Sequence, residues 1–161
     1  MKTLVLVRHA KSSWDEPGLD DHERPLNERG LRNAPLMGHR LAERGTVPDL
    51  IRSSTAVRAR STAQLMARAM GLVHEHVELD ERLYGASPET ILDIAGEVDD
   101  TVGTVMIVAH DPGLSDLAYS LSDSTIEHMP TCAVAEFRFD VESWRDAVEA
   151  EPVDSWFDTP R

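Results

Sequence analysis

The sequence predicts an α/β domain built as a three-layer sandwich, with a mostly parallel central sheet and helices on both of its faces. Three observations lead to this prediction. Residues 3–7 and 104–109 are continuous apolar runs, which is typical of strands buried on both faces. Strand-like and helix-like segments alternate along the chain, as they do in parallel sheets with crossover helices. The chain has 161 residues, 41% of them hydrophobic, enough for one domain with a core.

The first helix follows the strand at 3–7. Asn27 is a candidate N-cap for a helix over residues 28–44, and Gly45 is placed to end it. Pro35 falls inside this span, where a proline either bends a helix or delays its start.

The middle of the chain continues the alternation. We expect a short strand at 49–54, a helix over 55–70 and a third strand at 76–79. Ser87 and Pro88 then predict the start of another helix. Serine is a favoured N-cap, and proline is favoured at the first helical position.

The last third begins with the apolar strand at 104–109, followed by a loop that leads into a helix. Residues 133–139 alternate between apolar and polar, which predicts an edge strand or an antiparallel strand. The tail from about residue 142 carries Trp144 and Trp156, which we expect to anchor it to the body. This tail is the least defined part of the expected single domain, residues 1–161.

The composition argues against several classes of partner. The net charge is −13, whereas nucleic acids and anionic membranes bind basic surfaces, so we expect neither. No apolar run approaches the length of a membrane span, and the N-terminal residues lack the charged and then apolar pattern of a secretory leader. Cys132 is the only cysteine, so no internal disulfide forms. A small buried thiol in a cytoplasmic protein is expected.

One segment departs from the acidic composition. Between residues 52 and 68 the chain has four arginines and no acidic residue: Arg52, Arg58, Arg60 and Arg68. A local positive pocket in an acidic protein predicts a small anion as the ligand. Arg60 and Arg68 lie off the helical face of Arg58, so we expect them in solvent.

Histidines directly follow two of the predicted strands. Arg8 and His9 come after the first strand, and His110 comes after the strand at 104–109. Parallel sheets bind ligands at the carboxyl ends of their strands, so these residues should meet at one edge. Arg58 lies near the start of the helix after the second strand and can reach the same edge.

This set of side chains suits phosphoryl transfer. Guanidinium groups stay charged and match the oxygens of a phosphoryl group. Positive neighbours lower the pKa of His9, and a neutral imidazole can attack phosphorus. His110 would donate to the phosphoryl oxygens. Because arginines supply the positive charge, we expect no metal and no cofactor. His74 and His76 have a metal-ligand spacing but no evident third ligand.

Three segments in this order resemble the signatures of the histidine phosphatase superfamily. Residues 4–14 (LVLVRHAKSSW) resemble its arginine–histidine signature, with Ala10 where many members have glycine. Residues 53–64 (SSTAVRARSTAQ) and 105–118 (VMIVAHDPGLSDLA) resemble the second and third signatures. Two further features resemble the small branch of SixA-like phosphohistidine phosphatases. They are the short length of the chain and the segments at residues 24–30 (RPLNERG) and 81–92 (ERLYGASPETIL). The resemblance covers residues 3 to about 139 and implies a phosphoglycerate mutase-like fold.

The resemblance implies a metal-independent phosphatase with a covalent phosphohistidine intermediate. His9 would take the phosphoryl group, and water would then release inorganic phosphate. Arg8, Arg58 and His110 would hold the phosphoryl oxygens. Many members also use a carboxylic acid to protonate the leaving group. Glu81, just after the third strand, is the nearest match by position.

Two substrate classes remain open. An alkoxide that leaves a phosphate ester needs a proton in the transition state. Imidazole needs little help, because its conjugate acid has a pKa of about 6.5. If Glu81 points into the site, small phosphorylated metabolites are favoured; if not, phosphohistidine on a protein is favoured. The chain is short for a mutase. A phospho-ligand binding module without turnover is the alternative outside enzymes. The sequence does not indicate the oligomeric state.

Two loops lie near the predicted site. Lys11, Ser12 and Ser13 follow His9, and they either touch the substrate or lie in a solvated loop. The acidic segment at 20–23 (DDHE) is expected to be an exposed loop, with His22 at the surface. Such a loop would repel bulky anionic substrates or recognise a basic one.

Overall fold

Strand β1 (Lys2–Arg8) lies in the interior of a six-stranded sheet in the computed structural model, which describes residues 1–73 and 76–161. The strand order is β3-β2-β4-β1-β5-β6. The other strands are β2 (Leu50–Ser53), β3 (Val77–Leu79), β4 (Thr104–Ala109), β5 (Val134–Phe139) and β6 (Asp154–Asp158). Strands β1 to β4 run parallel to one another, and β5 is antiparallel to both β1 and β6. The predicted mostly parallel sheet is confirmed.

Helices cover both faces of this sheet, as the three-layer prediction requires. They are α1 (Glu28–Glu43), α2 (Val57–Ala69), α3 (Pro88–Gly96), α4 (Gly113–Leu121) and α5 (Trp144–Ala147). Alternate residues of β1 face opposite layers. Val5 and Val7 pack with α1 and α2, whereas Leu4 and Leu6 pack with the other three helices. Burial on both faces explains why this strand is a continuous apolar run.

The helix ends follow the capping residues of the sequence. The Asn27 side chain accepts a hydrogen bond from the Gly30 N–H at 2.9 Å, and α1 begins at the next residue, Glu28. The Ser87 hydroxyl accepts one from Thr90 N–H at 3.2 Å. Helix α1 continues through Pro35, so the proline does not delay its start. Helix packing and a sound N-cap outweigh the hydrogen bond that proline removes.

The C-terminal tail folds back onto the sheet, which confirms the expected anchoring. Trp144 is buried, and its Nε1–H donates to the carbonyl of Val102 at 2.7 Å. Strand β6 pairs with β5, so β5 is antiparallel but is not an edge strand. Glu136 on β5 is buried because it accepts hydrogen bonds from Arg44, which explains the polar position in that strand.

Other sequence expectations concern single residues. Cys132 is buried, and burial raises the pKa of its thiol to about 12, which agrees with a packing role. No helix within residues 1–73 and 76–161 has the length and apolar character needed to cross a membrane. His74, half of the pair with metal-ligand spacing, lies outside the described residues.

Candidate active site

The two histidines meet at the carboxyl edge of the sheet. Strands β1 and β4 are neighbours, with Arg8 opposite Ala109, so the residues that follow them emerge side by side. The ring centroids of His9 and His110 lie 5.1 Å apart, and both residues are buried. Parallel pairing therefore brings together two residues that are a hundred positions apart in the chain.

His9 is oriented by the backbone of the residue that follows it. Its Nδ1 lies 2.8 Å from the carbonyl oxygen of Ala10, which can only accept, so Nδ1 carries the proton. Nε2 is then left with its lone pair. Burial, with smaller contributions from the charges of Arg58 and Arg8, lowers the pKa of His9 to about 4. The ring is therefore neutral at physiological pH.

His110 is held by Ser54, the residue after β2. The Ser54 hydroxyl accepts a hydrogen bond from the Ala56 N–H at 3.2 Å and lies 2.7 Å from His110 Nε2. When the serine proton is donated to Nε2, the histidine proton lies on Nδ1, which is buried and has no partner within the described residues. Burial, followed by the charges of His9 and Arg58, lowers the pKa of His110 to about 3.

Arg8 and Arg58 approach the histidines from two elements. Arg8 Nη1 donates to the Met129 carbonyl at 3.0 Å and lies 3.6 Å from the Asp111 carboxylate. Arg58 donates to the backbone and side chain of Asp21 at 2.7 and 3.0 Å. The Nε atoms of both arginines are buried and have no acceptor within the described part of the chain.

Thr62 connects the first and second signature segments. Its hydroxyl accepts from the Ala10 N–H at 2.9 Å and donates to the Arg58 carbonyl at 2.7 Å. The side chain is fully buried. The threonine four residues after Arg58 on α2 therefore sets the position of the helix relative to the loop that follows His9.

Three site residues were not singled out from the sequence: Asp21, Arg24 and Tyr84. Asp21 lies in the exposed loop that the sequence predicts, and it also lines the same cavity as the histidines. Tyr84 donates to its Oδ2 at 2.7 Å, and Arg24 to its Oδ1 at 2.9 Å. The hydrogen bond from Tyr84, with those from Arg24 and Arg58, holds the pKa of Asp21 well below its usual range. His22, on the same turn as Asp21, packs edge-on against Tyr84 at 5.0 Å and lies 2.8 Å from the Thr55 hydroxyl.

Glu81 is not brought to the histidines. It is exposed in a 3₁₀ turn, Glu81–Leu83, and does not line their cavity, whereas Tyr84 just after the turn packs edge-on against His110 at 5.5 Å. The carboxylates on the cavity wall are Asp21 and Asp111. Asp111 accepts hydrogen bonds from the backbone and hydroxyl of Ser115 at 3.0 and 2.7 Å.

The cavity between these groups has a volume of about 370 Å³. Its wall contains two neutral histidines and three arginines: His9, His110, Arg8, Arg24 and Arg58. Guanidinium groups around buried imidazoles suit a compact dianion such as a phosphoryl group. A neutral imidazole with a free lone pair can act as a nucleophile toward it.

Comparison with known proteins agrees with this chemistry. The sequence profile of the histidine phosphatase superfamily (branch 1) matches residues 4–97. An uncharacterised protein of Mycobacterium tuberculosis is 36% identical over 146 residues, which cover 82% of this chain and 86% of the relative.

Solved structures with the same fold include SixA proteins. A structure provisionally named phosphohistidine phosphatase SixA, from Agrobacterium tumefaciens, is 34% identical with a TM-score of 0.76, over 86% of this chain and 92% of that one. The protein histidine phosphatase SixA complexed with tungstate has a TM-score of 0.77 at 19% identity, over 98% and 94% of the two chains, and bears on the fold alone. The chain therefore belongs to the histidine phosphatase superfamily and is a phosphatase.

Proposed function

We propose that this phosphatase hydrolyses phosphohistidine on a protein, through a covalent intermediate on His9. The observation that carries the proposal is the state of the carboxylates. Asp21 and Asp111 on the cavity wall both accept hydrogen bonds, and the pKa of Asp21 is lowered, so it does not hold a proton at neutral pH. Glu81 is exposed and off the cavity wall. Within residues 1–73 and 76–161, both carboxylates on the cavity wall are engaged as hydrogen-bond acceptors, which suits a leaving group that needs no positioned acid.

The chemistry follows in two steps. In the first, the Nε2 lone pair of His9 forms a bond to phosphorus as the N–P bond of the substrate breaks. The other ring nitrogen of the substrate is protonated from solvent before this bond breaks, so the leaving group departs as neutral imidazole and keeps the bond's electron pair. In the second step, water attacks the phosphorus, the bond to His9 breaks with its electron pair returning to Nε2, and inorganic phosphate leaves. Each step needs only solvent as a co-reactant.

The remaining groups would stabilise charge during both steps. Arg8 and Arg58 line the cavity, and their guanidinium groups would donate to phosphoryl oxygens. In the tautomer that accepts from Ser54, His110 carries its proton on Nδ1, which would supply a further donor without adding a positive charge beside His9. We extend the same binding role to Arg24, which lines the cavity and whose side chain is largely buried.

The leaving group decides against the rival substrate class. Imidazole leaves readily because its conjugate acid has a pKa of about 6.5. The alkoxide of a phosphate ester is a far stronger base and needs a positioned acid. Small phosphorylated metabolites are therefore the weaker proposal, and protein phosphohistidine, such as that of a signalling phosphotransfer domain, is the stronger one.

The test compares phosphoramidate, a phosphohistidine peptide and phosphoserine as substrates. The wild-type protein should release phosphate from the first two and carry acid-labile phosphate, and His9→Ala should do neither. Glu81→Gln should match the wild type with every substrate. Faster turnover of phosphoserine, together with its selective loss in Glu81→Gln, would overturn the proposal. An unlabelled protein that releases no phosphate would instead indicate a binding module.

A further inference from the structure

A second cavity opens directly beside the catalytic one. It has a volume of about 740 Å³ and lies between the loop after β1, residues 11–15, and residues 25–32 at the start of α1. We call it the Trp14 groove. Lys11, Ser12 and Trp14 line both cavities, so a molecule in the groove reaches the catalytic site without leaving the surface.

Backbone contacts hold the two walls of the groove together. The Asn27 N–H donates to the Lys11 carbonyl at 3.0 Å, and the Ser13 N–H donates to the Pro25 carbonyl at 2.8 Å. A side chain at Gly30 would place its Cβ 2.2 Å from the Lys11 oxygen, so only glycine allows this approach. The shape of the groove is therefore fixed by the fold. The hydrogen bonds that join its two walls also position the loop after His9.

The groove wall combines apolar and basic groups. Trp14 is 71% exposed and Leu31 is 52% exposed. The Arg24 guanidinium stacks 3.3 Å from the centre of the Trp14 ring and fixes its orientation. The groove is lined by three cations, Lys11, Arg29 and Arg32, and by two acidic residues. In the whole chain the balance is the reverse, with 29 acidic residues and 16 cations.

We propose that the Trp14 groove docks the protein that carries the phosphohistidine, through a segment of mixed acidic and apolar side chains next to it. This inference rests on the proposed function. The catalytic cavity is the proposed place of the phosphoryl group, and the larger groove, which shares three lining residues with it, is available to the chain around the phosphohistidine. Exposed Trp and Leu side chains favour apolar partners, and the local excess of cations favours acidic ones.

The test uses two double variants that remove the same atoms at different places. Leu31→Ala with Arg32→Ala changes the groove. Leu36→Ala with Arg68→Ala changes exposed residues on α1 and α2 outside it. None of the four residues belongs to the catalytic cavity. The substrates are phosphoramidate and two phosphohistidine peptides of equal length, flanked by Leu and Glu or by Leu and Lys.

The groove variant should lower kcat/KM for the Glu-flanked peptide by about tenfold, mainly through KM, because it removes one apolar and one charged contact. Its turnover of phosphoramidate should match the wild type. The control variant should match the wild type with all three substrates. The wild type should prefer the Glu-flanked peptide over the Lys-flanked one, and added salt should reduce that preference.

Two results overturn the docking inference alone: equal effects of the two double variants on the Glu-flanked peptide, or no preference between the peptides. In both cases phosphoramidate turnover and labelling of His9 would still support the proposed function. If the wild type neither hydrolyses phosphoramidate nor labels on His9, the proposed function fails, and the inference fails with it.

Discussion

The lowered pKa of His9 predicts a specific loss of stability in acid. Its pKa is about 4 in the folded protein, against an ordinary value of about 6.5 that applies to the unfolded chain. Between these values the unfolded chain binds the extra proton, so the stability of the folded state falls as pH decreases. At about pH 4.5 the cost assigned to His9 is about 2.5 kcal/mol, and above about pH 7 it vanishes.

His9→Asn isolates this effect, because asparagine is polar but does not titrate. Urea unfolding of the wild type and of this variant at pH 7 and pH 4.5 gives the two free-energy differences. On going from pH 7 to pH 4.5, the free energy of unfolding of the variant should rise by about 2.5 kcal/mol relative to that of the wild type. NMR titration of the His9 ring gives an independent value. A difference that does not change with pH, or a ring that titrates near its ordinary pKa, would refute the conclusion that His9 is a buried neutral imidazole.

Two further predictions concern groups around the histidines. Thr62→Val leaves the buried Ala10 N–H without its acceptor and should lower stability by about 2 kcal/mol, or about 5 °C in Tm, whereas Thr62→Ser keeps the hydroxyl and should lose much less. Equal losses in thermal unfolding would contradict the hydrogen-bond argument. Asp21→Asn removes a negative charge that two arginines bind, so inorganic phosphate should inhibit roughly tenfold more strongly. The measurement is inhibition of turnover by inorganic phosphate, with Glu23→Gln as the control because Glu23 lies on the same turn but off the cavity wall. If phosphate inhibits the Asp21 variant more weakly than the wild type, Asp21 mainly positions the arginines.

Most of the fold could be predicted because its signals are local. The apolar run at 3–7 reflects burial on both faces, and Asn27 and Ser87 cap helices within their own turns. The position of β5 could not be predicted in the same way. Whether a strand lies at an edge depends on what pairs with it, and β6 comes from the tail. The burial of Glu136 likewise depends on a partner in a distant part of the chain.

The same division applies to the candidate active site. Arg8, His9, Arg58 and His110 could be named from the sequence because each lies where a strand ends or a helix begins, and parallel pairing makes those positions converge. Asp21 and Tyr84 carried no such signal. Their hydrogen bond joins residues 63 positions apart in two irregular turns, and no periodicity specifies how such turns approach each other.

Glu81 shows where positional reasoning ends. Its place after β3 suggests a catalytic acid, but in the 3₁₀ turn that it shares with Leu83 the leucine is fully buried and Glu81 is exposed. The sequence alone determined the layered sheet, the residues at its carboxyl edge and the family. Only the tertiary structure decided which carboxylates reach the cavity and where the Trp14 groove lies, because both depend on contacts between loops that are distant in the chain.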